Sequence, residues 1–159
     1  MTLVIDASVV VAALVDGGPI GRWAEELLVG EPLAAPHLLP VEVANILRRS
    51  VLAGQLSADV AGMAHHDLLG LRVELFAYEP FGPRAWELRG NLTTYDAWYV
   101  ALAEDLGSPL ATLDRRLSRA AGPRCGFLLP GCAVGPGRGV TPAAYHRRDG
   151  CDHRRMGAL

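Results

Sequence analysis

Four carboxylates stand where a chain of alternating strands and helices could gather them: Asp6, Glu42, Asp96 and Asp114. Asp6 directly follows the apolar run Leu3-Val4-Ile5, and Asp114 follows Leu110-Ala111-Thr112-Leu113. Glu42 falls in the first turn of a helix opening near Pro40, and Asp96 in the first turn of one opening at Thr93-Thr94. Two carboxylates about 4 Å apart repel by roughly 4 kcal/mol at an effective dielectric of 20. A converging quartet therefore takes up protons through raised pKa values or is held together by a cation. The four acids offer only oxygen donors, with no His or Cys among them, so the cation that suits them is a hard one, Mg2+ or Mn2+. The nearby hydroxyls of Ser8 and Thr112 can orient the carboxylates or a bound water.

Three of these acids also have an ordinary structural use. Asp6 and Asp114 can cap helices, and Glu42 can complement a helix dipole. Asp96 is harder to place that way. The residues after it, Ala97-Trp98-Tyr99-Val100-Ala101-Leu102-Ala103, are apolar on every face and predict a helix buried throughout. A carboxylate on such a helix is costly unless something compensates its charge.

The elements that must position these groups follow from the hydrophobic pattern. Short apolar runs at 3–5, 32–36, 73–76, 110–113 and 125–128 read as strands. Helical spacing covers 9–15, 20–29, 40–54, 57–71, 83–90 and 94–106, with a short helix at 114–120. This alternation predicts an α/β fold, a parallel sheet covered by helices on both faces. In such a sheet the strand C-termini and the helix N-termini that follow them share one edge, where ligands bind. Connectivity alone puts Asp6, Glu42 and Asp114 at that edge. It does not do so for Asp96, whose helix follows another helix. On the 40–54 helix, Val43, Ile46, Leu47 and Val51 form the apolar stripe, with Glu42, Asn45 and Arg49 side by side next to it. Arg115 and Arg116 put positive charge at the rim, and the planar guanidinium suits phosphate. Asn45, Arg49, Arg115 and Arg116 are thus candidates for phosphate contacts, the alternative being a solvated helix face.

The chain has 159 residues, half of them hydrophobic and a fifth charged, which suits one globular domain and excludes wholesale disorder. No apolar run approaches a membrane span, and the first arginine is Arg22, so the expected location is cytoplasmic, away from membranes. The three cysteines are odd in number and form no CxxC, so they are neither a disulfide framework nor a metal signature. All 15 basic residues are arginine. Residues 1–130 carry a net −5 and residues 131–159 a net +3. An acidic body attracts nucleic acid poorly by bulk charge, so phosphate must be met by a cation or a local arginine cluster. The Gly/Arg-rich stretch 131–159 reads as a poorly ordered tail, and its Cys132, His146, Cys151 and His153 lack a standard zinc spacing. Glu104-Asp105 reads as a solvated helix end, and Trp23, Trp86 and Trp98 as core rather than base-stacking platforms. His65-His66 is adjacent mid-helix, so the rings diverge, which disfavours a paired acid–base site.

Four segments resemble the acidic motifs of the PIN-domain family, and most closely those of VapC toxins of bacterial toxin–antitoxin pairs. They are Val4-Ile5-Asp6-Ala7-Ser8, Val41-Glu42-Val43-Ala44-Asn45-Ile46-Leu47, the run from Tyr95 to Glu104, and Ala111-Thr112-Leu113-Asp114-Arg115-Arg116-Leu117. The resemblance spans residues 1–130 in order. It implies a PIN-like three-layer α/β/α sandwich and an endoribonuclease dependent on Mg2+ or Mn2+. It also implies a homodimer and a cognate antitoxin partner. Asp6, Glu42, Asp96 and Asp114 are then the catalytic and metal-site acids, with Ser8 and Thr112 in support. Two alternatives stand beside this: a Mg2+-dependent phosphatase, for which Asp6-Ala7-Ser8 lacks a second carboxylate, and a catalytically silent metal-binding or interaction module.

Overall fold

The computed structural model describes residues 1–131. The expected tail, with the four side chains weighed for zinc, lies outside them apart from Gly131. Five strands, β1 (Leu3–Ile5), β2 (Leu33–Pro36), β3 (Val73–Phe76), β4 (Leu110–Ala111) and β5 (Phe127–Leu128), form one sheet in the order β3-β2-β1-β4-β5. Every neighbouring pair is parallel, with Leu3 opposite Leu33 and Val4 opposite Leu110 in the central ladders. The three central strands are wholly buried, as their apolar runs (Pro36 ending β2) require of a sheet covered on both faces.

Six helices link the strands: α1 (Ala7–Val15), α2 (Pro19–Gly30), α3 (Leu39–Leu52), α4 (Ala58–Gly70), α5 (Gly82–Glu87) and α6 (Thr94–Asp105). From β1 the chain steps outward to β2 and then β3, and from there returns past β1 to β4. Right-handed crossovers then put α1–α4 on one face and α5–α6 on the other. The packing agrees, since α1, α3 and α4 touch one another while α5 lies on α6. Helix α6 in turn lies on β1, β2 and β4, its Ala97, Val100, Ala101, Leu102 and Ala103 all buried. The small residues on α6 and on β2 (Ala34, Ala35) let helix and sheet approach closely.

The three-layer α/β/α sandwich is therefore as expected, but several segments are shorter. β4 ends at Ala111, because Thr112 and Leu113 turn out of the sheet into the site, although the Thr112 amide still donates to Leu128 O at 3.1 Å. The stretch 83–90 is not one helix: α5 stops at Glu87 and a 3-10 turn, Leu88–Gly90, follows it. The stretch 114–120 keeps only the 3-10 turn Leu117–Arg119. Trp86 corrects the core expectation. The inward positions of α5 and its flanks are filled by Phe81, Ala85 and Leu88, four and three residues apart, so Trp86 points outward at 61% exposure. There the Arg89 guanidinium lies over its ring, 5.0 Å from the centroid. Trp23 and Trp98 do pack against the core, Trp98 edge-on to Tyr78.

The α1–α2 junction depends on one glycine. A Cβ on Gly21 would sit 1.6 Å from the Asp16 carbonyl oxygen, a backbone atom that cannot turn aside. Gly21→Ala is expected to lower unfolding stability by about 2 kcal/mol through this overpacking. Urea denaturation at fixed pH measures the loss.

Candidate active site

The site forms at the one place where strand order reverses, between β1 and β4, above the C-terminal ends of the strands. Asp6 leaves β1, its amide still bonded to Ala111 O of the neighbouring strand end at 3.0 Å, and caps α1. Its Oδ1 accepts from the Ser8 amide at 3.1 Å. Its Oδ2 accepts from the Ser8 hydroxyl at 3.1 Å and from the Thr112 hydroxyl. Ser8 Oγ accepts from the Leu113 amide at 3.1 Å, and Thr112 Oγ1 from the Asp114 amide at 3.0 Å. Ser8 and Thr112 thus stitch the end of β1 to the end of β4, and Thr112 is fully buried in doing so. Asp114 then closes the following turn, its Oδ1 accepting from the amides of Arg116 (2.7 Å) and Leu117 (3.3 Å).

Asp96 reaches the same place by packing rather than connectivity. Thr93 caps α6, its hydroxyl accepting from the Asp96 amide at 3.1 Å and donating to Asp96 Oδ2 at 2.8 Å. Because α6 lies across β1 and β4, its first turn comes to the mouth of the switch point. Glu42, in the first turn of α3, arrives from the other helix layer, and Tyr99 of α6 donates its hydroxyl to Glu42 Oε2 at 2.6 Å.

The four acids share one electrostatic field. Burial pushes the Glu42 carboxyl up, against the Tyr99 hydrogen bond that lowers it, and the charges of Asp6 and Asp96 raise it further. Burial likewise pushes Asp96 up, against the Thr93 hydrogen bond, with Asp6 and Asp114 adding to the rise. Burial, then the bond to Glu42, holds the Tyr99 phenol far above its usual range, so it remains a donor. The expected ordinary uses are real as well: Asp6 and Asp114 cap turns. They do not exhaust the acids. Among the described residues Glu42 Oε1, Asp96 Oδ1 and Asp114 Oδ2 accept no hydrogen bond.

Among the described residues no three His, Cys, Asp or Glu side chains form a ready-made metal cage. That does not conflict with a Mg2+-type ion, which keeps several waters and takes one or two carboxylates plus substrate phosphate. The donor chemistry fits such an ion, with oxygens only, the Glu42 and Asp96 carboxyls pushed up by burial and by neighbouring carboxylates, and an unengaged oxygen on each of three acids.

The remaining candidates divide. Asn45 and Arg49 are exposed on α3 and follow Glu42 along its flank, and Arg115 and Arg116 are exposed on the turn after Asp114. Glu104 is not a solvated helix end. Arg84 grips it from α5 with Nε at 2.7 Å and Nη2 at 3.1 Å, and the Arg124 amide donates to it at 2.7 Å, which holds its carboxyl below the usual range against the opposing effect of burial. It braces the end of α6 away from Asp96, and Asp105 is exposed. Burial pushes the Cys125 thiol up to about 12, so it is no nucleophile. Tyr99 and Thr93 were not singled out from sequence. Both lie three residues from Asp96, one helical turn away, which is the signal that could have marked them.

Residues 3–123 match the PIN domain. Ribonuclease VapC1 of Mycobacterium tuberculosis is 42% identical over 130 residues, covering 79% of this chain and 96% of that protein. The crystal structure of PAE2754 from Pyrobaculum aerophilum matches with a TM-score of 0.57 and 27% identity, over 75% of this chain and 78% of that one. VapBC2 from Rickettsia felis, bound to a DNA fragment from their promoter, shares the fold at a TM-score of 0.55 and 13% identity, over 80% and 98%. On the length of the domain match and the identity to a ribonuclease matched over nearly all of its length, this chain belongs to the PIN-domain family and is a relative of the VapC ribonucleases.

Proposed function

We propose that this protein is an endoribonuclease, the toxin of a toxin–antitoxin pair, and that Asp6, Glu42, Asp96 and Asp114 are its catalytic acids. The observation that carries the reading is the convergence of four carboxylates at the sheet's switch point, each oriented by hydroxyls or amides and each within the electrostatic reach of another. Its identity to VapC1 supplies the substrate class. A cognate antitoxin and a homodimer are part of the same proposal, as is a place in the cytoplasm. Among the described residues no helix is long and apolar enough to cross a membrane.

Glu42, Asp96 and Asp114, with Asp6 beside them, would hold Mg2+ or Mn2+, and the bound ion supplies a water of lowered pKa and charge stabilisation at the scissile phosphate. The protein's own part is positional. Ser8 and Thr112 fix Asp6 against both strand ends, and Thr93 fixes Asp96. Asn45, Arg49, Arg115 and Arg116 stand at the rim to take the flanking phosphates, where the planar guanidinium binds two oxygens at once. The body's net negative charge makes these local contacts necessary.

Product chemistry tests the reading. Single-stranded and structured RNA incubated with the protein and Mn2+ should yield fragments with 5′-phosphate and 3′-hydroxyl ends. Cyclic phosphate ends would instead mean attack by the 2′-hydroxyl and overturn the assignment. Turnover of a generic phosphatase substrate without RNA cleavage would move the protein to the phosphatases.

A further inference from the structure

We infer that Tyr99 is a positioning residue for the acidic centre: it holds the Glu42 carboxylate in place from the opposite helix layer and thereby sets the affinity for the divalent cation. This rests on the cation-binding reading of the four acids given above.

The geometry is specific. Tyr99 is 3% exposed on α6, and its hydroxyl donates to Glu42 Oε2 at 2.6 Å, joining α6 on one face of the sheet to α3 on the other. Tyr99 and Asp96 are one turn apart on α6, so the same helix presents one acid and grips another. Oε2 is occupied and Oε1 accepts nothing among the described residues, which leaves one oxygen of a fixed carboxylate for a ligand. A free glutamate side chain has three rotatable bonds whose freedom is lost on ligating a metal. A glutamate already pinned has lost much of it beforehand.

The kind of donor matters too. Asp6 is oriented by Ser8 and Thr112, Asp96 by Thr93, and Glu42 by Tyr99. Each side-chain donor is a neutral hydroxyl. An arginine in the same place would orient the acid equally well but cancel its charge, and would compete with the cation. Hydroxyls orient and leave the negative charge for the ion, which is the usual division between ligands and the groups that hold them.

The test is Mn2+ binding to the RNA-free protein, read from the electron paramagnetic resonance signal of free Mn2+. Tyr99→Phe keeps the ring and its packing, and is expected to bind Mn2+ about tenfold more weakly than wild type. In the cleavage assay the half-saturating Mn2+ concentration should rise by a similar factor, with the rate at saturating Mn2+ little changed. Adding Tyr99→Phe to Glu42→Gln should cause no further loss. Wild-type affinity in Tyr99→Phe, where Glu42→Gln has lost it, overturns the inference, as does an equal loss from Tyr99→Phe on the Glu42→Gln background. If Tyr99→Phe does not fold, Tyr99→Met replaces it, a flexible apolar side chain without the hydroxyl, so about tenfold weaker Mn2+ binding supports the inference and wild-type binding overturns it. Wild-type protein that binds no Mn2+ fails earlier and differently, taking the cation reading down and this inference with it.

Discussion

Asp6→Asn and Asp96→Asn each lose RNA cleavage, by about a thousandfold or more, yet only Asp6→Asn loses stability. The activity loss follows from the several kcal/mol that a held cation contributes at a reacting phosphate, at tenfold for roughly each 1.4 kcal/mol. The stability contrast follows from what each carboxylate does in the fold. Asp6 accepts from the Ser8 amide, the Ser8 hydroxyl and the Thr112 hydroxyl, so an amide in its place loses charge-assisted bonds and turns a donor toward other donors. Metal-free Asp6→Asn should melt below wild type. Asp96 is pushed up by burial and by the charges of Asp6 and Asp114, so its ionised form is a burden on the metal-free fold. The amide of Asp96→Asn can still accept from Thr93 while shedding that burden, and this variant should melt at or above wild type. Single-turnover cleavage and thermal melts on the same preparations decide the matter. Full activity in both variants would remove these acids from the chemistry. Activity loss that merely tracks a falling melting temperature would make them caps and nothing more.

That contrast shows which parts of the site were legible in the sequence. Asp6 and Asp114 follow from connectivity, because residues just past parallel strands must lie on one edge. Glu42 follows from the same rule, applied to the helix after β2. Asp96 needed a different clue, the cost of a carboxylate on a helix apolar on every side, and only the packing of α6 across β1 and β4 shows where that carboxylate goes. Tyr99 could not be paired with Glu42 in advance, since the two are 57 residues apart and approach from opposite faces of the sheet. Trp86 misled for a local reason. In a helix of six residues one inward stripe is already filled by smaller neighbours, so an aromatic at helical spacing need not be core. Glu104 misled because its partner, Arg84, lies on another helix, and helix-end acids are otherwise ordinarily solvated.

Mn2+ should raise the melting temperature of the wild-type protein at pH 7, and less so near pH 5. In the metal-free fold, burial and neighbouring carboxylates hold Glu42 and Asp96 above the ordinary carboxylate range that both occupy when unfolded. Between those two ranges the folded state binds more protons than the unfolded state, so stability falls as pH rises through the window. The cost is fully present above the raised range and is relieved as the acids take up protons on acidification. A cation that binds only the folded protein adds about 2.7 kcal/mol at a hundred times its dissociation constant, or roughly 8 °C for a domain of this size. Protons compete for the same oxygens, so the gain shrinks on acidification. EDTA should return the melting temperature to its metal-free value and stop RNA cleavage together. Asp96→Asn, with one of the two raised acids removed, should show both a smaller Mn2+ shift and a flatter metal-free pH profile, which separates this origin from the titration of the five histidines. Melting temperatures indifferent to Mn2+ at both pH values would mean that the four acids gather at the sheet's edge without binding the ion.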